Sequence, residues 1–124
     1  MTMKFFFLFI VLLFCNLSAD AQSISHIEQS GSWYYIYDQD GRKIKTLSTS
    51  QGTVVAHGTS FYIIKQGNAF YVCYDINGKR LCCLSVSYVG EILSASGDTF
   101  TSRNRSWIYT WDKYGKKINT RTAG

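Results

Sequence analysis

Short runs of aromatic and β-branched residues, separated by turn residues, recur along the chain from residue 24 onward. No stretch shows sustained helical periodicity, and the chain contains no proline. Apolar runs of this length, bounded by glycine-containing turns, are typical of β-strands. The pattern therefore predicts an all-β domain built from antiparallel meanders.

Three segments of this pattern align with one another without a gap. They are Trp33–Ile44, Phe70–Leu81 and Trp107–Ile118. Each contains an aromatic run, Asp-x-x-Gly, two basic residues and a second apolar run, and successive copies are offset by 37 residues. A constant period in this range indicates a repeated supersecondary unit. We expect tandem meander repeats at about 22–50, 51–87 and 88–124, of which the first lacks its opening strand.

The Asp-x-x-Gly sequence predicts the turn of a hairpin. All three copies have an aspartate followed three residues later by a glycine, which are Asp38 and Gly41 in the first copy. In a type I turn followed by a glycine bulge, the aspartate caps the turn and the glycine adopts a positive φ. The aspartates and glycines are therefore interpreted as turn residues, not as metal ligands.

Both alternating faces of the aromatic strands are apolar. In residues 33–37, as in residues 70–74, aromatic or apolar side chains occupy successive positions. Strands with this pattern are covered on two sides. We therefore expect the equivalent residues Trp33, Phe70 and Trp107 to lie in the core.

The repeated segments resemble WG-type repeats, whose pattern is an aromatic run, Asp, Gly and a basic residue. The likeness covers about a third of each unit. Four-stranded meanders of this length also resemble the blades of β-propellers. The resemblance implies a pseudo-threefold assembly, either three-bladed and propeller-like or prism-like. A β-trefoil or closed barrel is the alternative.

Residues 1–21 have the pattern of a signal peptide. Lys4 is followed by an apolar run over residues 5–14 and by the small-x-small sequence at residues 19–21. The run is half the ~20 residues that a membrane span needs. We expect this segment to be removed and residues 22–124 to be exported to the periplasm, cell surface or medium. No transmembrane segment is expected in the mature chain. An uncleaved N-terminal anchor is the alternative. The cleavage junction, and the chain as a whole, resemble small exported proteins of Bacteroidetes.

Basic residues follow each predicted turn and give a first set of candidate ligand-binding residues. They are Arg42, Lys43, Lys79, Arg80, Lys116 and Lys117. On one rim they would attract an anionic polymer, and the formal net charge of the chain is +5. The alternative is that they are solvated residues that protect a sheet edge. A nucleic-acid partner is not expected for an exported product.

Tyrosines and arginines outside the repeated pattern give a second set. The candidates are Tyr114, Tyr88, Tyr62, Arg103 and Arg105. Tyr114 occupies a turn position where the other repeats have Asp40 and Asn77. Exposed aromatic rings of this kind bind sugars or protein partners.

No constellation of catalytic residues stands out. His26 and His57 are the only histidines, and a two-carboxylate hydrolase would have to use Glu91 and Asp98. We expect no enzyme activity, no cofactor and no metal site. An uncharacterised hydrolase is the alternative.

The cysteines Cys73, Cys82 and Cys83 leave two registers open. A two-residue turn would place Cys73 opposite Cys82, where a disulfide is possible. A three-residue bulged turn would place Cys73 opposite Leu81. We favour the bulged register, with buried thiols that act as small apolar groups.

These features suggest an exported binding module without catalytic activity. The first hypothesis is a ligand among glycans or anionic cell-surface polymers. The second is a protein partner, for which the chain would be an immunity protein, an inhibitor or an accessory subunit. Three similar sites favour a glycan, whereas one patch formed by Tyr114, Arg103 and Arg105 favours a protein.

Overall fold

A computed structural model of the protein describes residues 22–123, so the predicted signal peptide lies outside the described residues. In this part of the chain the strands are β1 (Ile24–Ser30), β2 (Trp33–Asp38), β3 (Lys43–Ser48), β4 (Thr53–His57), β5 (Phe61–Gln66), β6 (Phe70–Asp75), β7 (Arg80–Ser85), β8 (Glu91–Ser96), β9 (Thr99–Asn104), β10 (Trp107–Asp112) and β11 (Lys117–Thr122). A 3₁₀ turn at Thr49–Gln51 follows β3, and a one-turn helix α1 (Val86–Val89) follows β7.

The strands form three antiparallel sheets, one for each repeat. The first sheet has the order β1-β2-β3, the second β4-β5-β6-β7, and the third β8-β9-β10-β11. The all-β meander prediction is confirmed, and the first repeat has one strand fewer. Within residues 22–123 the sheets remain separate instead of closing into one barrel, so the closed-barrel alternative is wrong. The pseudo-threefold arrangement stays a prediction.

Each Asp-x-x-Gly sequence forms the predicted turn. The Asp38 Oδ1 atom accepts hydrogen bonds from the backbone N–H groups of Asp40 and Arg42, both at 2.9 Å. Gly41 has a φ of 78°. The aspartates of the other two repeats accept the equivalent pairs of bonds, also at 2.9 Å. The turns are therefore formed by contacts local to five residues.

The strand register of the second sheet differs from the one we favoured. Cys73 lies opposite Cys82, and Val72 lies opposite Cys83. The turn between β6 and β7 is the expected bulged one. The pairing of the two strands then shifts a second time, between Cys73 and Tyr74, where β7 has one extra residue. This second bulge shifts the pairing by one position, so the prediction that Cys73 faces Leu81 is wrong. The same irregularity recurs in the other two sheets.

The second sheet lies between the other two and is covered on both faces. Successive residues of β5 alternate between the two cores. Tyr62 and Ile64 pack with Ile36 of the first sheet, whereas Phe61 and Ile63 pack with residues of the third. The core shared with the third sheet also contains Tyr71, Cys73, Val89, Phe100 and Trp111. The prediction of two covered faces is therefore correct for the second sheet.

Equivalent contacts join the second and third turns to the sheet before them. The Lys45 ammonium donates to the carbonyl oxygen of Asn77 at 3.5 Å. At the position 37 residues later, the Cys82 thiol donates to the carbonyl oxygen of Lys113 at 3.6 Å. The three turns therefore lie along the same side of the stack. We call this side the turn edge, and the opposite side, where β2, β6 and β10 begin, the aromatic edge.

The outer faces of the first and third sheets differ in chemistry. On the first sheet, Trp33, Tyr35 and Tyr37 share a face that contributes to neither core cluster, so the expectation of two covered faces is wrong for β2. The second sheet directs apolar side chains toward the third sheet. At several of the equivalent positions, the third sheet has polar residues on its outer face. Thr99, Thr101, Thr110 and Arg121 stand where the second repeat has Phe61, Ile63, Cys73 and Leu84. Ile108 and Ile118 remain apolar at the positions of Tyr71 and Leu81, so the outer face of the third sheet is mixed and not continuously apolar.

Candidate binding edges of the stack

One aromatic ring from each repeat is exposed on the aromatic edge. Trp33, Phe70 and Trp107 are 48%, 47% and 46% exposed. The prediction that they lie in the core is wrong. Each is the first residue of its strand, directly after a turn, and its side chain lies at the end of the sheet, outside both core clusters.

Polar side chains flank each of these rings. The residues directly opposite are Ser30 and Ser48 for Trp33, Gln66 and Ser85 for Phe70, and Asn104 and Thr122 for Trp107. Directly opposite residues have Cβ atoms about 5 Å apart. Each ring therefore lies between two hydroxyl or amide side chains, and none of the six flanking residues is charged.

Several of the flanking groups are held in place by the backbone. The hydroxyl of Ser48 accepts the N–H of Ser50 at 3.2 Å, and that of Ser85 accepts the N–H of Tyr88 at 3.3 Å. The Asn104 amide donates to the carbonyl oxygen of Ser87 at 2.9 Å. Fixed hydrogen-bonding groups beside an exposed ring form a preorganised surface, which lowers the entropy cost of binding.

The basic residues of the turn edge are partly committed to neighbours. Arg42 forms an ion pair with Asp40, with N and O atoms 3.2 Å apart. The Lys43 ammonium lies 4.1 Å from the centroid of the Tyr35 ring, and the equivalent Lys117 lies 3.8 Å from that of Tyr109. Cation–π contacts of this kind hold the ammonium over the ring. Among the six basic candidates, Lys79, Arg80 and Lys116 form neither an ion pair nor a cation–π contact within residues 22–123.

The aromatic and basic features lie at opposite ends of the same strands. β2 begins at Trp33 and ends at Asp38, where the turn begins. Five residue steps of about 3.3 Å separate the two ends by roughly 17 Å. The equivalent strands β6 and β10 have the same length. One small ligand therefore cannot contact both an aromatic-edge ring and the basic pair of the same repeat.

The remaining candidates do not form one patch. Tyr114 is 61% exposed at the tip of the third turn. Arg103 and Arg105 lie at the other end of β10, next to Trp107. The single patch of Tyr114, Arg103 and Arg105 is therefore wrong, because β10 separates its members.

The other two tyrosine candidates differ in exposure. Tyr88 is exposed on α1, where its ring contacts Trp111 edge-on, with ring centroids 5.4 Å apart. Tyr62 is 1% exposed and stacks on Tyr74 between the first and second sheets. A buried ring cannot contact a ligand, so Tyr62 leaves the set of candidates.

The two carboxylates considered for hydrolysis are far apart. Glu91 begins β8, and Asp98 lies beyond its other end, so the strand separates them by roughly 15 Å. A glycosidase pair needs carboxyl groups about 5–9.5 Å apart. Asp98 instead accepts a hydrogen bond from Ser60 and forms an ion pair with Lys113 at 3.5 Å. The hydrogen bond from Ser60, with the charge of Lys113, lowers the pKa of Asp98.

The histidines also have local partners. His26 stacks on Tyr37, with ring centroids 4.7 Å apart, and its Nε2 atom lies 3.4 Å from Glu28. The Nδ1 atom of His57 lies 2.9 Å from the carbonyl oxygen of Gly58. Within residues 22–123, no group of three or more His, Cys, Asp or Glu side chains is placed to hold a metal ion.

Comparison with protein-family models and with curated proteins finds no match for this chain. Among the described residues, no helix is long and apolar enough to span a bilayer. The aromatic edge was missed at the level of sequence because its rings follow the same alternation as core residues. The sequence signal that could have revealed this exposure is the turn directly before each ring, because a residue that follows a turn lies at the end of its strand.

Proposed function

We propose that the domain is an exported, non-catalytic module that binds glycans through its aromatic edge. The observation that carries the proposal is the half exposure of Trp33, Phe70 and Trp107 at equivalent positions. Aromatic rings offer a rigid apolar surface that stacks on the C–H faces of sugar rings. The flanking hydroxyl and amide groups supply hydrogen bonds to sugar hydroxyls.

The repetition of the site supports a polymeric ligand. A single ring with two polar neighbours is a weak site, but three on one edge are linked within a single chain. A glycan with repeating units that reaches more than one ring would gain affinity from the effective concentration of the second and third contacts. We therefore expect long chains to bind much more tightly than their monosaccharides.

The charge of the site predicts which glycans bind. Because the rings and the residues opposite them are uncharged, binding at Trp33 and Phe70 should resist salt, whereas Arg103 and Arg105 add positive charge beside Trp107. Binding to the turn edge, by contrast, should weaken as salt screens its basic residues. The proposal therefore favours neutral glycans over anionic polymers.

The test is a binding screen of purified protein against a broad glycan panel at low and physiological salt. Trp33→Ala and Trp107→Ala should each weaken binding to a hit glycan, and the double variant should weaken it further. Tyr114→Ala is the matched control, because it removes an exposed ring from the turn edge. Folded protein that binds no glycan would overturn the proposal, as would binding lost in Tyr114→Ala and kept in Trp33→Ala.

A protein partner is the second candidate, and the outer face of the first sheet favours it. Tyr35 and Tyr37 lie on this face with His26 and Glu28, and the Tyr37 hydroxyl donates to Glu28 at 3.1 Å. Aromatic residues are enriched at protein interfaces, where polar groups lie at the rim. Loss of a partner in Tyr35→Ser, with glycan binding unchanged, would separate this function from the first.

A further inference from the structure

The middle of the second sheet contains two thiols in positions suited to a covalent bond. Cys73 of β6 lies directly opposite Cys82 of β7, and the cysteines of residues 22–123 are free thiols in this structure. Directly opposite residues of antiparallel strands have Cα atoms about 4.5–5.5 Å apart. Disulfides span Cα separations of about 4.4–6.8 Å. The backbone therefore needs little movement to join the two residues.

Cys83 is not placed to compete. It lies opposite Val72, on the face of the sheet opposite to that of Cys82, and it is exposed. Successive residues of a strand point to opposite faces. Of the pairings among these three cysteines, the register supports only the one between Cys73 and Cys82.

We propose that Cys73 and Cys82 are a site of disulfide formation, which closes in the presence of a small-molecule disulfide and leaves Cys83 as a free thiol. This inference is independent of the proposed function. It also reverses the interpretation of Cys73 as an inert buried thiol.

The burial of the two cysteines indicates the order of the steps. Cys82 is partly exposed, whereas Cys73 is buried, so a small disulfide meets Cys82 first. The thiolate of Cys82 attacks the small-molecule disulfide, and one small thiolate leaves. The released small thiolate takes up the proton of Cys73 through water, Cys73 attacks the Cys82 sulfur, and the second small thiolate leaves and takes a proton from water. Two protein thiols are oxidised, and one small disulfide is reduced to two thiols.

The electrostatics of the pair agree with this order. A hydrogen bond between the two thiols lowers the pKa of Cys82. The same hydrogen bond, together with burial, raises the pKa of Cys73. The thiol with the lower pKa has more thiolate at a given pH and is the one that attacks first.

The test combines a thiol count with peptide mapping after incubation of the purified protein with oxidised glutathione. The expected result is a linked pair of peptides containing Cys73 and Cys82. In Cys83→Ser, where the exposed third thiol cannot also exchange with glutathione, we expect a loss of two thiols per chain and a mass lower by two hydrogen atoms. Cys83→Ser is the matched control and should close the same bond. Cys82→Ser should leave Cys73 unreacted.

Three results would overturn the proposal. One is a linked peptide that contains Cys83, and another is a stable glutathione adduct on Cys82 without closure. The third is no loss of thiols from folded protein. If Cys82→Ser does not fold, the mapping of the parent protein and of Cys83→Ser still decides the question.

Discussion

The hydroxyl of Tyr71 donates a hydrogen bond of 2.7 Å to the carbonyl oxygen of Gly90, in the backbone that leads into the third sheet. The equivalent Tyr34 hydroxyl accepts the N–H of Val54, in the first strand of the second sheet, at 3.3 Å. The third repeat has Ile108 at this position, and its sheet is the last one within residues 22–123. The tyrosine hydroxyl therefore ties each sheet to the next one.

Tyr71→Phe removes this bond without removing the ring. The carbonyl of Gly90 then loses its side-chain donor, and we expect the free energy of unfolding to fall by about 1–2 kcal/mol. Urea unfolding measures the change. Tyr35→Phe is the control, because that hydroxyl lies on the outer face of the first sheet, and it should change stability by less than about 0.5 kcal/mol. Equal effects of the two substitutions would contradict the role of the tie.

The turn aspartates act through their side-chain oxygen rather than through their charge. Asp112→Ala removes the acceptor for the N–H groups of Tyr114 and Lys116 and should cost about 1–2 kcal/mol, as the loss of a helix cap does. Asp112→Asn keeps an acceptor oxygen and should retain most of the stability. Thermal unfolding of the two variants distinguishes them. If Asn were as destabilising as Ala, the charge would be the main contribution.

The turn glycines differ in their surroundings. Gly41 and Gly115 both have a positive φ, of 78° and 85°, so alanine at either position costs about 1–2 kcal/mol through the backbone alone. A Cβ atom at Gly41 would meet nothing within 4 Å, whereas one at Gly115 would lie 3.1 Å from the Cys82 sulfur. We therefore expect Gly115→Ala to be the more destabilising of the pair in urea unfolding. Equal losses would show that the second and third sheets separate easily at this point.

Stability should fall in alkaline solution. Burial is the main reason that the pKa of Tyr62 is raised from 10.0 to about 12. Above pH 10 the unfolded chain releases this proton while the folded chain keeps it, so unfolding becomes more favourable as the pH rises to 12. The stability that the neutral hydroxyl provides is fully present below pH 10.

Urea unfolding at a series of alkaline pH values measures this slope. Tyr62→Phe should have a shallower slope, because it lacks the titrating group and keeps the ring. An unchanged slope would assign the alkaline effect to other tyrosines, such as Tyr71, whose pKa burial also raises.

The strands and turns could be predicted because they depend on nearby residues. The hydrogen bonds of Asp38 stay within five residues, and alternation along β6 assigns side chains to faces. The register of Cys73 could not be predicted, since the second bulge in β7 has no counterpart in the local turn sequence. The exposure of Trp33 depends on where the core ends along the strand. Alternation predicts the face on which a residue lies, but it does not predict whether a neighbouring sheet covers that part of the face.

The chemistry of the sheet faces determines where an added repeat would be accommodated. Within residues 22–123, the second sheet is the one that packs on a neighbour with both faces, so a tandem copy of it would find a matching surface on either side. A copy packed on the outer face of the third sheet would instead meet the hydroxyls of Thr101 and Thr110 and the guanidinium of Arg121. We therefore expect a repeat inserted beside the second sheet to be tolerated better than one added after Thr122.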